Sequence, residues 1–555
     1  MGVGWPLAYR LALKPAEKLL AAVVLSLLIV FLIAWAIYMT GLPIIWLRTI
    51  PAIAALGLIT GHRSLSQTLE DPAAVRLVVG QIMITTWSVA GLALIISYSG
   101  GNWVADWFGH QQRTWFFLER GPVNILFNGF DPMTSRPPLA NIMNGVFLTI
   151  TQRDFPHYQI FGTLFSSLVF LPAGLFTLRF GKTTAIPCLV LLFMVNPMYA
   201  QNATYAWTKL PAAFFILSAL YFYLRTAVDA GPRINAVLFA AALGAALLTH
   251  YSAGPYAVLM GGMWFLMGRR RWAETAWWTT TVASIFTGIV VLGAWFGWAF
   301  AIYGVRGSLM TTTSVAGHIS DVVEQLRITG LNLRDTLVPH FFRHVDLRQL
   351  AQRSSLGWWR DYFFLLYQLN FFLSFGSVAW LVILSRLPSQ WENAPGIQRC
   401  FWTVFIVGNI VLGVGVLGEE YVWGLSHICM QPLVLLGLAF LAANWSRLRK
   451  PWRLFLIAGA TLDFVLGIFL QFGVQSYLLE RWFTGDRPIP ALVASYSIQT
   501  RMNFGAKVRH QWVFVGDVFF KDRTLVVVGL ALLFLIALWL ASRESANSFS
   551  AVEKP

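Results

Sequence analysis

Long apolar runs joined by short polar links fill most of the chain. A stretch of about 20 apolar residues is long enough to cross the roughly 30 Å hydrocarbon core of a bilayer. On that criterion about fourteen membrane-spanning helices are predicted. They lie near 19–39, 43–61, 77–98, 158–177, 184–200, 209–225, 235–250, 253–267, 276–304, 362–385, 400–418, 424–443, 454–473 and 524–541. The run at 43–61 is the weakest, because Arg48 and Pro51 interrupt it. Three segments break the pattern by being long and polar: 99–157, 305–361 and 474–523. The first carries Asp106, His110, Arg113, Glu119, Arg120, Asp131, Arg136, Arg153, Asp154 and His157, with a Pro-Pro step at 137–138.

Orientation follows from the short links, since cytoplasmic loops collect Lys and Arg. Arg10/Lys14/Lys18, His62-Arg63, Arg179/Lys182, Arg225/Arg233, Arg269–Arg271, Arg386/Arg399, Arg447/Arg449/Lys450 and Arg543 all fall on one side. Both termini then lie in the cytoplasm, and the three long segments share the opposite, extracytoplasmic face. In 305–361, apolar residues recur at three- and four-residue steps, which predicts amphipathic helices lying in the interface. That segment is also rich in arginine, Arg334 among them, which suits the holding of an anion.

Composition agrees with this reading. The chain of 555 residues is 57% hydrophobic and 12% charged, against about a quarter charged in soluble domains. The basic residues behind its net charge of +16 fall largely in short clusters between apolar runs, as insertion requires, so nucleic-acid binding is not implied. The 3 cysteines, Cys188, Cys400 and Cys429, have neither metal-ligand nor disulfide-framework spacing. No small-residue cleavage site follows the first apolar run, so no cleavable signal peptide is expected. A bacterial inner membrane is the expected location.

Within 99–157, Asp106, His110 and Arg113 fall at four- and three-residue steps and share one face of a predicted helix. A carboxylate so placed can take a proton from an incoming hydroxyl, or simply pair with His110 or Arg113 on the helix surface. In F-D-P-M-T-S-R-P-P-L-A-N the prolines fix the backbone around Arg136. Arg136 there can clamp a phosphate or order loop carboxylates, and can equally pair with Asp131 or a lipid headgroup.

The set D-W-x-x-H-x-x-R-x-x-F-F-L followed by R-P-P-L resembles the polyprenyl-phosphate-sugar-dependent glycosyltransferases of the GT-C fold. That superfamily includes the protein O-mannosyltransferases and the lipid A aminoarabinose transferases. The resemblance is strongest over 77–260 and is one of layout beyond. It implies an all-α polytopic membrane enzyme, a GT-C-like bundle whose cavity is roofed by extracytoplasmic amphipathic helices. It casts Asp106 as catalytic base, and Arg136, Pro137 and Pro138 as the loop's Pro-Pro element. V-N-P-M-Y-A-Q-N-A-T-Y-A-W-T-K matches the second external turn. Many members carry a second acidic residue in that turn; here Lys209 stands in the region, so a two-carboxylate mechanism needs Asp131 or Asp154. Implied partners are a polyprenyl-phosphate-linked sugar donor, a protein, lipid or glycan acceptor, and membrane lipids. No metal or other cofactor is expected.

On this layout, 1–76 is a cytoplasmic segment with two additional spans. The catalytic module is 77–385, with loops 99–157 and 305–361, and 386–555 holds the C-terminal spans, loop 474–523 and a short cytoplasmic tail. Lys209, at the mouth of its span, is placed either to neutralise a lipid phosphate or to snorkel. His250 and Tyr251, and His427 at a similar depth, are sugar or phosphate contacts or packing residues. Asp463 lies within a span and reads as a structural pair or a protonated carboxyl. Glu419-Glu420 is compatible with a divalent ion and with a solvated turn. The sequons at Asn202 and Asn444 decide nothing. Two other classes fit the outline: an oligosaccharide ligase or polymerase using a lipid-diphosphate donor, and a lipid-linked sugar transporter or flippase. The latter needs a polar path within the spans, where the sequence offers little beyond Arg48 and Asp463.

Overall fold

The computed structural model describes residues 1–94, 104–127, 132–151, 153, 155–204, 207–227, 229, 231–309, 322–337, 396–416, 430–468 and most of 529–540. Among these every regular element is a helix. Five helices are long and apolar enough to cross a membrane, or up to seven if each of two bent pairs counts as one span. The expected span at 362–385 lies outside the described residues, as do the first residues of 424–443 and part of 524–541.

Several ends are dictated locally. Helix α1 (Trp5–Ala8) is a single turn, and α2 (Pro15–Thr40) starts on a proline, whose missing N–H costs nothing in a first turn. Glu17 accepts the Lys14 backbone N–H at 3.0 Å. The helix stops at Gly41, whose φ of +76° is open to glycine without a Cβ penalty. There Arg120 donates to the carbonyls of Ile37 (3.1 Å), Gly41 (2.7 Å) and Leu42, a cation on a helix C-terminus where it satisfies otherwise orphaned acceptors.

One expected span ends at a sharp bend and another is broken within. The run at 43–61 is a 3-10 turn (Ile44–Thr49) leading into α3 (Ile50–Thr60), which bends by 69° into α4 (His62–Thr68). The bend lets the Trp5 indole N–H donate to the Gly61 carbonyl at 3.1 Å, and a Cβ on Gly61 would collide with that ring. The run at 184–200 is α10 (Ile186–Val195) bent by 68° into α11 (Pro197–Thr204), where a proline opens the second helix. Arg48, the polar interruption of the first run, donates to the Thr149 carbonyl at 3.0 Å.

Between these lie α5 (Pro72–Leu94), α6 (Val104–Glu119), α7 (Leu139–Ile150), α8 (Phe155–Ser167) and α9 (Phe170–Phe180). The core is organised on α12 (Lys209–Ala227), which is buried along almost its whole length and packs against α13 (Ile234–Thr249), α8 and α9. Helix α14 (Gly254–Gly268) follows, then α15 (Thr275–Leu309), whose Val282, Ile285, Phe286 and Ile289 face outward as a lipid-exposed span requires. A left-handed Gly304 breaks α15 near its end. Beyond it are α16 (Val322–Leu337), α17 (Gly396–Ile410), α18 (Gln431–Asn444), which also packs on α12, and α19 (Lys450–Ile468). The Asp463 side chain is outside the described set.

A polar seam runs inside this apolar bundle. Gln81, Thr85 and Ser88 share one face of α5; Gln81 and Thr85 bond Ser167 (3.1 and 2.9 Å), and Ser88 bonds the Tyr199 hydroxyl (2.7 Å). Such bonds join helices where no hydrophobic difference between lipid and protein drives association.

Lys209 and Arg225 mark the two ends of α12, separated by about 24 Å at 1.5 Å per residue. At the Arg225 end, Glu17 is 1% exposed and lies 2.7 Å from the Arg225 guanidinium, and it accepts from the Tyr221 hydroxyl at 3.0 Å. Asp229 joins Arg179 (2.5 and 2.8 Å) and Arg225 (3.1 Å). Burial opposes the Asp229 charge, but the two guanidiniums outweigh it and hold the carboxyl below its ordinary range. Glu17→Ala strips the buried Tyr221 hydroxyl of its acceptor and leaves half-buried Arg225 with Asp229 alone, and is expected to cost about 3 kcal/mol. Thermal unfolding of the protein in detergent checks this; an unchanged midpoint would contradict a stabilising role for the cluster.

Candidate functional site

At the Lys209 end of α12, four elements meet on the R-P-P loop. Pro132 leaves the backbone extended, Met133–Ser135 form one 3-10 turn, and Arg136 is extended (φ −134°, ψ 137°), the conformation that Pro137 imposes on its predecessor. Pro138 then opens α7. This turn is a hub. Arg113 on α6 donates to the Pro132 carbonyl (3.2 Å) and the Ser135 hydroxyl (2.7 Å), and also to the Gly109 carbonyl (3.0 Å). The Tyr251 hydroxyl donates to the Thr134 carbonyl at 3.1 Å. Thr134 in turn donates to the Gly307 carbonyl at 2.7 Å, beyond the Gly304 break in α15.

Arg113 is 1% exposed, and its guanidinium lies 4.4 Å from the Phe127 ring centroid. The helix predicted around Asp106, His110 and Arg113 is present as α6, but its arginine is used to brace the loop. Arg136 donates to the Ser135 carbonyl at 3.2 Å.

His110 is 2% exposed, and its Nδ1 lies 3.1 Å from Asn141 Oδ1. Asn141 spends its amide on the Pro137 carbonyl at 3.4 Å, so its oxygen faces the histidine and Nδ1 carries the ring proton. Burial first, then Arg136, Arg113 and Lys209, push the His110 pKa well below the usual imidazole value, against a smaller opposing pull from Asn141. His110 is therefore neutral near pH 7, with its acceptor lone pair on Nε2.

On the other side of the turn, Lys209 Nζ lies 2.6 Å from His250 Nε2 and 5.5 Å from the Trp207 ring centroid. His250 ends α13, and its Nδ1 receives the Ser252 backbone N–H at 3.0 Å. Burial, followed by Lys209, Arg136 and His110, also lowers its pKa well below the ordinary value. Tyr251 is pushed up to about 12, by burial above all, so its phenol stays protonated as a donor.

The structure thus brings together His110, Arg113, Arg136, Lys209, His250 and Tyr251. Asp131 and His427 lie outside the described residues. Asp106 lies on α6 and Arg334 on α16, with only their backbone described. Residues that the sequence reading passed over are Asn141, Ser135, Thr134, Ser252 and Trp207. A signal existed for one of them: Asn141 and Asn144 are polar on the otherwise apolar α7, and a buried amide needs partners. The Asn202 sequon is buried in α11, with Asn202 accepting from Gln431 at 3.0 Å. Among the described residues no three His, Cys, Asp or Glu side chains come together as metal ligands do.

No family model matches the chain, and no curated protein matches it. Among solved structures, it is similar to the crystal structure of ArnT from Cupriavidus metallidurans bound to undecaprenyl phosphate, with 15% identity and a TM-score of 0.44 over 78% of this chain and 76% of that one.

If Arg113 braces the loop through its fork, Arg113→Lys keeps the charge and loses the geometry. Hydrogen exchange of the amides at 133–136 is expected to rise about tenfold, the equivalent of one lost charged hydrogen bond of about 1.5 kcal/mol. Exchange equal to the wild type would contradict the bracing role.

Proposed function

We propose that the chain is an integral membrane glycosyltransferase that moves a sugar from a polyprenyl-phosphate donor to an acceptor hydroxyl. The observation that carries this reading is the gathering of Arg136, Lys209 and the Arg113-braced turn around two neutral histidines at one end of an apolar bundle. A buried cationic site at the edge of apolar helices suits a ligand with an anionic head and a hydrocarbon tail. The R-P-P-L and D-W-x-x-H-x-x-R motifs support the same choice.

In the proposed reaction the acceptor oxygen attacks the anomeric carbon from the face opposite the phosphate, so configuration inverts. Its proton passes to Asp106, and the bond from the anomeric carbon to the phosphate oxygen breaks. The donor phosphodiester carries one negative charge and the departing lipid phosphate carries a second. Fixed positive charge aimed at that oxygen therefore stabilises the transition state more than the ground state. Arg136 and Lys209 supply that charge in this reading, with Arg334 of α16 as a further cation. Such a leaving group needs no metal. The extracytoplasmic side for this site rests on the Lys/Arg bias of the opposite links.

A carrier is less well supported. Arg48 is bonded to the Thr149 carbonyl, and the hydroxyls of the α5 seam are bonded across helices.

Transfer of labelled sugar from a panel of polyprenyl-monophosphate sugars by the purified protein tests the reading. Turnover is expected for the wild type with and without EDTA, and its loss in Asp106→Asn with donor binding retained. Normal turnover by that variant would move the base to Asp131 or Asp154. Arg136→Ala is expected to weaken donor binding by about 2 kcal/mol, or roughly thirtyfold. Unchanged donor affinity in that variant would remove Arg136 from the phosphate site.

A further inference from the structure

His110 and Asn141 meet across the α6–α7 pair, and one ring nitrogen is left over. The Pro137 carbonyl can only accept, so it is the Asn141 amide nitrogen that faces it at 3.4 Å. The amide oxygen then lies 3.1 Å from His110 Nδ1 and accepts the N–H there. The ring makes no other hydrogen bond among the described residues, so no second group contests Nδ1. Nε2 keeps the lone pair of a neutral imidazole and meets no donor.

The His110 side chain is 2% exposed, and a buried acceptor without a donor has lost its water and gained no partner. An incoming ligand can supply that donor. A phosphodiester anion has no proton to give, so Nε2 cannot serve the phosphate itself. A sugar hydroxyl has one, and the sugar of the donor lipid is bonded directly to the phosphate. In the proposed donor site Arg136 and Lys209 face that phosphate. Both lie near enough to His110 for their charges, with that of Arg113, to oppose a second proton on the ring. His250 is not free for the same task, since Lys209 and Ser252 engage its two nitrogens.

We propose that His110 Nε2 accepts a hydrogen bond from a hydroxyl of the donor sugar, and that Asn141 is the positioning residue that keeps the ring proton on Nδ1. The site is then divided by chemistry. Cations take the phosphate, and a neutral imidazole held by an amide reads the sugar beside it. This inference rests on the donor-site reading above and adds sugar recognition to it.

Two phosphodiesters separate the sugar from the phosphate. One is a polyprenyl-phosphoryl hexose; the other is polyprenyl methyl phosphate, in which a methyl group replaces the sugar. Isothermal titration would measure the binding of each to the full chain in phosphatidylcholine nanodiscs. His110→Phe keeps a planar ring and removes the acceptor. It is expected to bind the hexose ester about tenfold more weakly and the methyl ester as the wild type does. His110→Gln puts an amide oxygen near the place of Nε2 and is expected to recover most of that affinity. Asn141→Leu is expected to weaken binding of the hexose ester alone. Nitrogen NMR of histidine-labelled protein reads the proton directly. It is expected on Nδ1 of His110 in the wild type, and shared between the two nitrogens in Asn141→Leu. Equal losses for the two esters in His110→Phe would overturn the proposal, because the ring would then act on the phosphate site as a whole. Unchanged affinity for the hexose ester in that variant, or a wild-type proton on Nε2, would overturn it too and leave the donor site standing. Binding of neither ester by the wild type would overturn the donor-site reading, and this inference with it.

Discussion

Arg113 and Lys209, both buried, gather with half-buried Arg136 at one end of an apolar bundle, where their charges are weakly screened. Like charges in a partly dry site repel strongly, so each needs a specific acceptor, and much of the loop's construction follows from supplying them. Arg113 is answered by the Gly109 and Pro132 carbonyls and the Ser135 hydroxyl. His250 answers Lys209. The prolines at 132, 137 and 138 hold the acceptors still, which a mobile loop could not do at the same entropic cost.

Rigidity at the site is borrowed from the bundle. Aromatic rings of α2, α6 and α15 interlock beside it: Trp35 meets Phe117, Trp295 and Trp298 edge-on, and Tyr38 meets Phe117. Arg120, at the end of α6, is tied to the C-terminal carbonyls of α2. Thr134 reaches α15 just past its glycine break, so the loop is joined to a span that otherwise faces lipid. About 24 Å away, the Glu17–Arg225–Asp229–Arg179 cluster locks the other end of α12 with paired charges. The two ends of one helix therefore differ in kind. Ion pairs close the one, and Arg113, Arg136 and Lys209 come together at the other.

Much of this was legible in the sequence. Apolar runs and Lys/Arg links gave a helical membrane protein, and the odd polar stretch at 99–157 pointed to the loop that proves to be the hub. His110, Arg113, Arg136, Lys209, His250 and Tyr251 do converge, although they are spread over more than 140 positions. The division of labour among them was not legible. Whether an arginine faces a ligand or braces a turn depends on which carbonyls lie within 3 Å of it, and spacing along the chain does not carry that. The bend before Pro197 was hidden for a similar reason, since hydropathy reads the same through a break. The seam of Gln81, Thr85 and Ser88 has helical periodicity but was masked by the apolar residues around it.

The central claim is that the Lys209 end of α12 binds a lipid phosphate. A structure of the protein bound to a polyprenyl-phosphate lipid tests it most directly. The account places the phosphate within hydrogen-bonding distance, about 3 Å, of Arg136 and Lys209. The tail would then run along apolar helices away from the R-P-P turn. A phosphate seated instead on Arg179 or Arg225 at the opposite end would contradict the account.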